Sequence, residues 1–194
     1  MNIPRSPALL ALAALAATPA LSNMLVPPGP RTGIANSRLS ATPASEWNRL
    51  SHTDGKFTEV WTIDGDQLDK VTFFGGVARG KALLREVDRK HHPLPTVKAS
   101  MLITDIPVLL ETTYRIRGAR QMTIDTQEPA MLGGHKAIRF TYHFTLDDEV
   151  RRKGEGLGAL VDGKLYLVTY EAPALHFFDK DVARYRALAA SITL

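Results

Sequence analysis

Between Ile138 and Leu146 apolar and polar side chains alternate without a break. Ile138, Phe140, Tyr142, Phe144 and Leu146 fall on one side of an extended chain, and Arg139, Thr141, His143 and Thr145 on the other. A period of two is that of a strand with one buried face and one wet face, which favours antiparallel pairing. The same signal recurs elsewhere. Phe57–Ile63 alternates, Asp64-Gly65-Asp66 turns the chain, and Leu68–Phe74 reads as the partner strand, ended by Gly75-Gly76. Met122–Thr126 reads as a strand, and Pro129–Gly134 as a loop. Val150–Val161 and Lys164–Glu171 flank Asp162-Gly163, a two-residue hairpin signal. On the last strand both faces are apolar, Tyr166, Val168 and Tyr170 against Leu165, Leu167 and Thr169, which predicts a central strand covered on both sides.

Two segments carry a helical period. Ile106, Leu109, Leu110, Thr113 and Ile116 follow Thr104-Asp105, with Pro107 in the first turn and Gly118 at the end. Phe178, Val182, Tyr185, Ala189 and Ile192 line a C-terminal helix from about Asp179 to Ser191. Residues 78–100 fit no single element. Strands mostly follow strands, so the expected class is α+β: an antiparallel sheet of about six strands packed with a mid-chain and a C-terminal helix.

The N-terminus breaks this pattern. Arg5 precedes the apolar run Ala8–Ala17, and Ala20-Leu21-Ser22 fits a small-x-small cleavage site. That order is a secretory signal peptide, too short for the roughly 20 residues of a membrane span. Residues 1–22 are therefore expected to be a signal, residues 23–45, rich in Pro, Ser and Gly, a flexible tether, and residues 46–194 a single domain. The protein is expected to be exported, to the periplasm or beyond, with no transmembrane span in the mature chain.

Composition removes several chemistries. The chain of 194 residues has no cysteine, so disulfides, thiol catalysis, Cys-ligated metals and a lipidated cysteine are all absent. With 24 Lys and Arg against 20 Asp and Glu, the surface is mixed rather than a nucleic-acid footprint. Gly154-Glu-Gly-Leu-Gly-Ala159 spells a dinucleotide fingerprint, but it leads into a strand and a hairpin where that chemistry needs a helix N-terminus. It reads instead as a strand whose missing side chains allow a bulge or a closely packed helix. The six histidines show no zinc-ligand spacing, and no serine lies in a nucleophile motif. Arg151-Arg152-Lys153 reads as a solvated strand edge, with an anion contact as its alternative. No catalytic residue, metal or cofactor is assigned. The candidate ligand-binding groups are Tyr170, Glu171 and His176, at the seam between last strand and last helix, and His143 on the polar face of its strand.

Trp61-Thr-Ile-Asp-Gly-Asp-Gln-Leu-Asp69 and Leu165-Tyr-Leu-Val-Thr-Tyr-Glu-Ala-Pro173 carry a resemblance. Over residues 46–194 the chain resembles a group of small exported bacterial proteins without an assigned activity, many of them lipoproteins; the absent cysteine is a departure, because it removes the lipid anchor. The closing strand, proline and helix also look like the PsbP-type fold, an antiparallel sheet between helices. That resemblance implies protein binding and accessory roles, with no catalytic residue to carry over. The expected function is thus non-enzymatic binding of a protein or a cell-envelope component. The alternative is a small-molecule carrier or enzyme with its site between sheet and helices.

Overall fold

A computed structural model describes residues 23–194; the signal-like segment, residues 1–22, lies outside the described residues. Eight strands form one antiparallel sheet: β1 (Met24–Val26), β2 (Trp47–Arg49), β3 (Thr58–Thr62), β4 (Lys70–Val77), β5 (Arg120–Leu132), β6 (His135–Thr145), β7 (Arg151–Val161) and β8 (Lys164–Pro173). Their order across the sheet is β1-β2-β3-β4-β8-β7-β6-β5. Two helices complete the fold, α1 (Ile106–Ile116) and α2 (Phe177–Ala190). The α+β class with a mid-chain and a C-terminal helix is as expected, but the sheet has eight strands rather than about six. The two additional strands, β1 and β2, have three residues each, too few to display a period.

The alternation on β8 decides the layering. Tyr166, Val168 and Tyr170 join one hydrophobic cluster with Phe178, Tyr185 and Leu188 of α2. Leu165 and Leu167 join the other with Ile106, Leu109 and Leu110 of α1. The sheet is therefore sandwiched, and β8 is buried on both faces. Of the loop expected over Pro129–Gly134, Pro129–Leu132 instead continue β5, and only Gly133-Gly134 turn the chain into β6. Pro129 is tolerated because β5 is an edge strand, with no ladder bond needed on its outer side.

Residues 24–45 are not a loose arm. Val26, Ile34, Ala35, Leu39 and Ala41 are buried in the α2-side cluster. The Glu59 carboxylate accepts from the Ala35 backbone N–H at 3.0 Å and from Trp61 Nε1 at 2.8 Å. A Cβ added to Gly75 would stand 2.5 Å from Ser37 Oγ, so this segment lies directly on β4. The segment looked structureless because it follows the surface of the sheet irregularly, and its burial has no period to read.

The Trp61–Asp69 stretch folds upon itself. Asp69 is buried and accepts from Thr62 Oγ1 (3.0 Å), Ile63 N (2.7 Å) and Asp64 N (2.6 Å). Gly65, at φ +111°, closes the turn where a side chain would be strained. Burial raises the Asp69 pKa, and the two backbone N–H groups and Thr62 oppose that rise.

Candidate functional site

One row of residues crosses four neighbouring strands. In the antiparallel register Tyr142 of β6 stands opposite Gly154 of β7, Gly154 opposite Glu171 of β8, and Glu171 opposite Lys70 of β4. Tyr142 and Glu171 are thus two strands apart, roughly 9–10 Å between backbones. The tyrosine ring spans that gap by lying across Gly154. A Cβ at Gly154 would sit 2.2 Å from Tyr142 Cζ. The next glycines repeat the device: Gly156 lies under Phe140, and Gly158 meets Ile106 of α1. The fingerprint-like glycines therefore serve close packing, by aromatic rings at two positions and by the helix at the third.

The row centres on a buried carboxylate. Tyr142 Oη donates to Glu171 Oε1 at 2.7 Å, and Tyr114 Oη of α1 donates to the same oxygen at 2.6 Å. Lys70 Nζ lies 3.3 Å from the other oxygen, Oε2. Glu171 is only 4% exposed, so these contacts replace its hydration. Its charge acts back on its partners. The Glu171 carboxylate raises the Lys70 pKa against the lowering effect of burial. Burial, reinforced by the charge of Glu171, holds the Tyr114 and Tyr142 hydroxyls well above the ordinary phenol range.

Above this group the α1 side of the sheet opens into a pocket of about 280 Å³. Lys70, Glu171 and Arg152 line it together with apolar Phe74, Leu84 and Phe144, and Asp54 and Asp66 are at the same site. Arg152 is held by Asp148 through bonds of 2.9 and 2.6 Å. The hydrogen bond from Arg152, aided by the Val150 N–H, lowers the Asp148 pKa to about 2. The pocket thus sets a charged floor within mixed walls, where His52, Gln67 and Arg117 stand beside Phe74, Leu84 and Phe144, and such convergent polar groups next to apolar surface can orient a small ligand. Among the described residues no cluster of three or more His, Asp, Glu or Cys side chains is placed to hold a metal ion.

The four candidates from the sequence lie in separate places. Glu171 lines the pocket. Tyr170, its neighbour, points to the opposite face, stacks on Tyr185 at 5.5 Å and donates to the Phe177 carbonyl. His176 is exposed at the start of α2, with φ +70°. His143 lies on the α2 side of the sheet, with Nδ1 2.8 Å from Asp125 Oδ1. Lys70, Tyr114 and Tyr142 escaped sequence reading because they come from three different elements, while Arg152, expected on a solvated strand edge, is buried and lines the pocket. One signal was present: glycines at every second position of one strand, facing aromatics at every second position of the next.

No protein-family model matches the chain, and no curated protein matches its sequence. Solved structures do match. The solution structure of cyanobacterial PsbP (CyanoP) from Synechocystis sp. PCC 6803 aligns with a TM-score of 0.53 at 14% identity, over 94% of this chain and 98% of that one. The fold is PsbP-like. LpqN of Mycobacterium tuberculosis, described as involved in cell envelope biogenesis, aligns over 89% of this chain and 90% of that one, at 8% identity. Its TM-score of 0.37 is too low to carry an argument. At these identities the likeness establishes architecture, and function has to be argued from the site. No helix among the described residues is long and apolar enough to cross a membrane.

Proposed function

We propose that this chain is an exported binding domain, and that its ligand enters the pocket over Glu171 and Lys70. The supporting observation is that row: a buried carboxylate with both oxygens engaged, paired with the half-buried Lys70 beneath a cavity of about 280 Å³ whose walls are part apolar. A cluster needed only to tie Tyr114 of α1 to the sheet would not require the open space above it. Binding is favoured over catalysis by the lining. Both oxygens of Glu171 are already engaged by Tyr114, Tyr142 and Lys70, so neither is left free for a reacting group, and no serine or cysteine lines the pocket. The ligand that fits is a small polar group on a short apolar stem, free or presented by a protein or envelope component. Export rests on the signal-like N-terminus.

The test is a thermal-shift panel of amines, carboxylates and sugars on the full chain and on the double variant Lys70→Met/Glu171→Gln. Removing both charges together leaves no unpaired charge, so the variant is expected to fold. A ligand at a hundredfold excess over its Kd stabilises by about 2.7 kcal/mol. The reading requires a compound that raises the melting temperature of the wild type and not of the variant. A compound that shifts both equally, or a flat panel, contradicts it.

A further inference from the structure

The basic run Arg151-Arg152-Lys153 is split by the sheet. Arg152 faces the Glu171 pocket. Arg151 and Lys153 face the other way, into a groove of about 330 Å³ between the β5–β7 side of the sheet and α2. The acidic groups there are already occupied. Glu155 is buried and held by Arg186, with contacts of 2.7 to 3.2 Å, and by Arg139 at 3.7 Å. Asp125 is bonded to His143. Arg151 and Lys153 have no carboxylate partner among the described residues; Lys153 instead lies over the Phe178 ring, 5.7 Å from its centroid.

We infer that this groove binds a phosphate group, through Arg151, Lys153 and His143. The register brings these residues together. Lys153 stands opposite His143 and Arg151 opposite Thr145, so the three side chains rise from one small patch of two paired strands. Directly opposed residues are about 5 Å apart and next-but-one neighbours about 7 Å, within reach of one tetrahedral oxyanion. A guanidinium fork and an ammonium supply charge-assisted donors. The bond to Asp125 fixes the imidazole through Nδ1 and leaves Nε2 for the ligand. Nε2 accepts a phosphate hydroxyl when the ring is neutral and donates when it is doubly protonated. A carboxylate has two oxygens for three contacts, whereas a phosphate has an oxygen for each. The phosphate can belong to a free ester or to a lipid headgroup.

The experiment uses the full chain, the variant Arg151→Gln/Lys153→Gln, and the control Lys136→Gln/Lys164→Gln, which removes the same charge elsewhere. Calorimetric titrations with inorganic phosphate and glycerol phosphate test the free group. Cosedimentation with phosphatidylcholine vesicles, with and without phosphatidylglycerol, tests the headgroup; the apolar N-terminal segment is common to all three proteins and cancels. Expected is binding in at least one arm that falls about tenfold or more in the groove variant and less than about threefold in the control. Binding to phosphatidylglycerol vesicles alone assigns the headgroup as the source, and binding of the soluble compounds assigns the free group. No binding in any arm, or equal losses in groove variant and control, overturns the site.

Discussion

Gly154→Ala tests the row of residues that builds the pocket floor. In an ordinary strand this change would stabilise by about 0.4–1 kcal/mol, because alanine has less unfolded-state entropy to lose. Here the new Cβ would lie 2.2, 2.3 and 2.7 Å from Tyr142 Cζ, Cε2 and Cε1. Carbon atoms rest at roughly 3.5–4 Å, so the ring must retreat by about 1 Å or more. It has little room to do so, with Phe140 and Phe144 stacked at 5.8 and 6.2 Å and the Tyr114 edge at 6.3 Å. Overpacking costs about 1–3 kcal/mol. Losing the tyrosine bond to a charged acceptor adds about 1.5–3 kcal/mol. The expected net loss, after the entropic gain of about 0.4–1 kcal/mol, is about 2–5 kcal/mol, a large part of the stability of a single domain. In a Tyr142→Ala background the obstacle is gone, and Gly154→Ala should become neutral or stabilising. Urea denaturation of the four proteins measures this coupling. A loss below about 0.5 kcal/mol in the wild-type background, or simple additivity in the cycle, would refute the packing account.

Asp69→Ala removes three hydrogen bonds from the Trp61–Asp69 turn and should cost about 2–4 kcal/mol by urea denaturation, whereas the exposed Asp147→Ala should stay within about 0.5 kcal/mol. Lys70→Met leaves Glu171 buried without its counter-ion and should destabilise more than the double variant Lys70→Met/Glu171→Gln; if the double variant is the weaker, the ion-pair account fails. Tyr114, Tyr142, Tyr170 and Tyr185 all have raised pKa values, burial being the first cause in each. A raised folded-state pKa gives stability that is present below the unfolded value near 10 and lost above it. Phenolate absorbance from these four should therefore appear together with the loss of near-ultraviolet circular dichroism; phenolate formation in the still-folded protein would contradict the burial described here. Asp148 works in the opposite sense: held down to about 2 by Arg152, it contributes stability above its unfolded value near 4 that fades as pH falls toward 2. Arg152→Gln should flatten that part of the acid denaturation curve.

Local alternation made most of the sheet legible. β3, β4, β6, β7 and β8 each bury one or both faces in long register, so their pattern survives in sequence. The same reasoning fails where burial is irregular. Residues 24–45 hold on through single apolar anchors such as Ile34 and Leu39, and β1 and β2 are too short for a period. Pro129 suggested a break, but its strand lies at an edge where the missing N–H costs nothing. Glu171 was legible as a polar group in an apolar strand. Its surroundings were not, because Tyr114, Tyr142 and Lys70 reach it from α1, β6 and β4, and that convergence is a property of register. Tyr170 illustrates the limit from the other side: adjacent to Glu171 in sequence, it is on the opposite face of the sheet, as the period of two requires.

The most direct test of the binding account is a nuclear magnetic resonance titration of the isotope-labelled chain with a cocktail of small amines and carboxylates. The account predicts amide shifts that cluster at Lys70, Thr72, Glu171 and Ala172 and vanish in Lys70→Met/Glu171→Gln. Shifts that persist unchanged in that variant, or a pocket that responds to no compound, would contradict it.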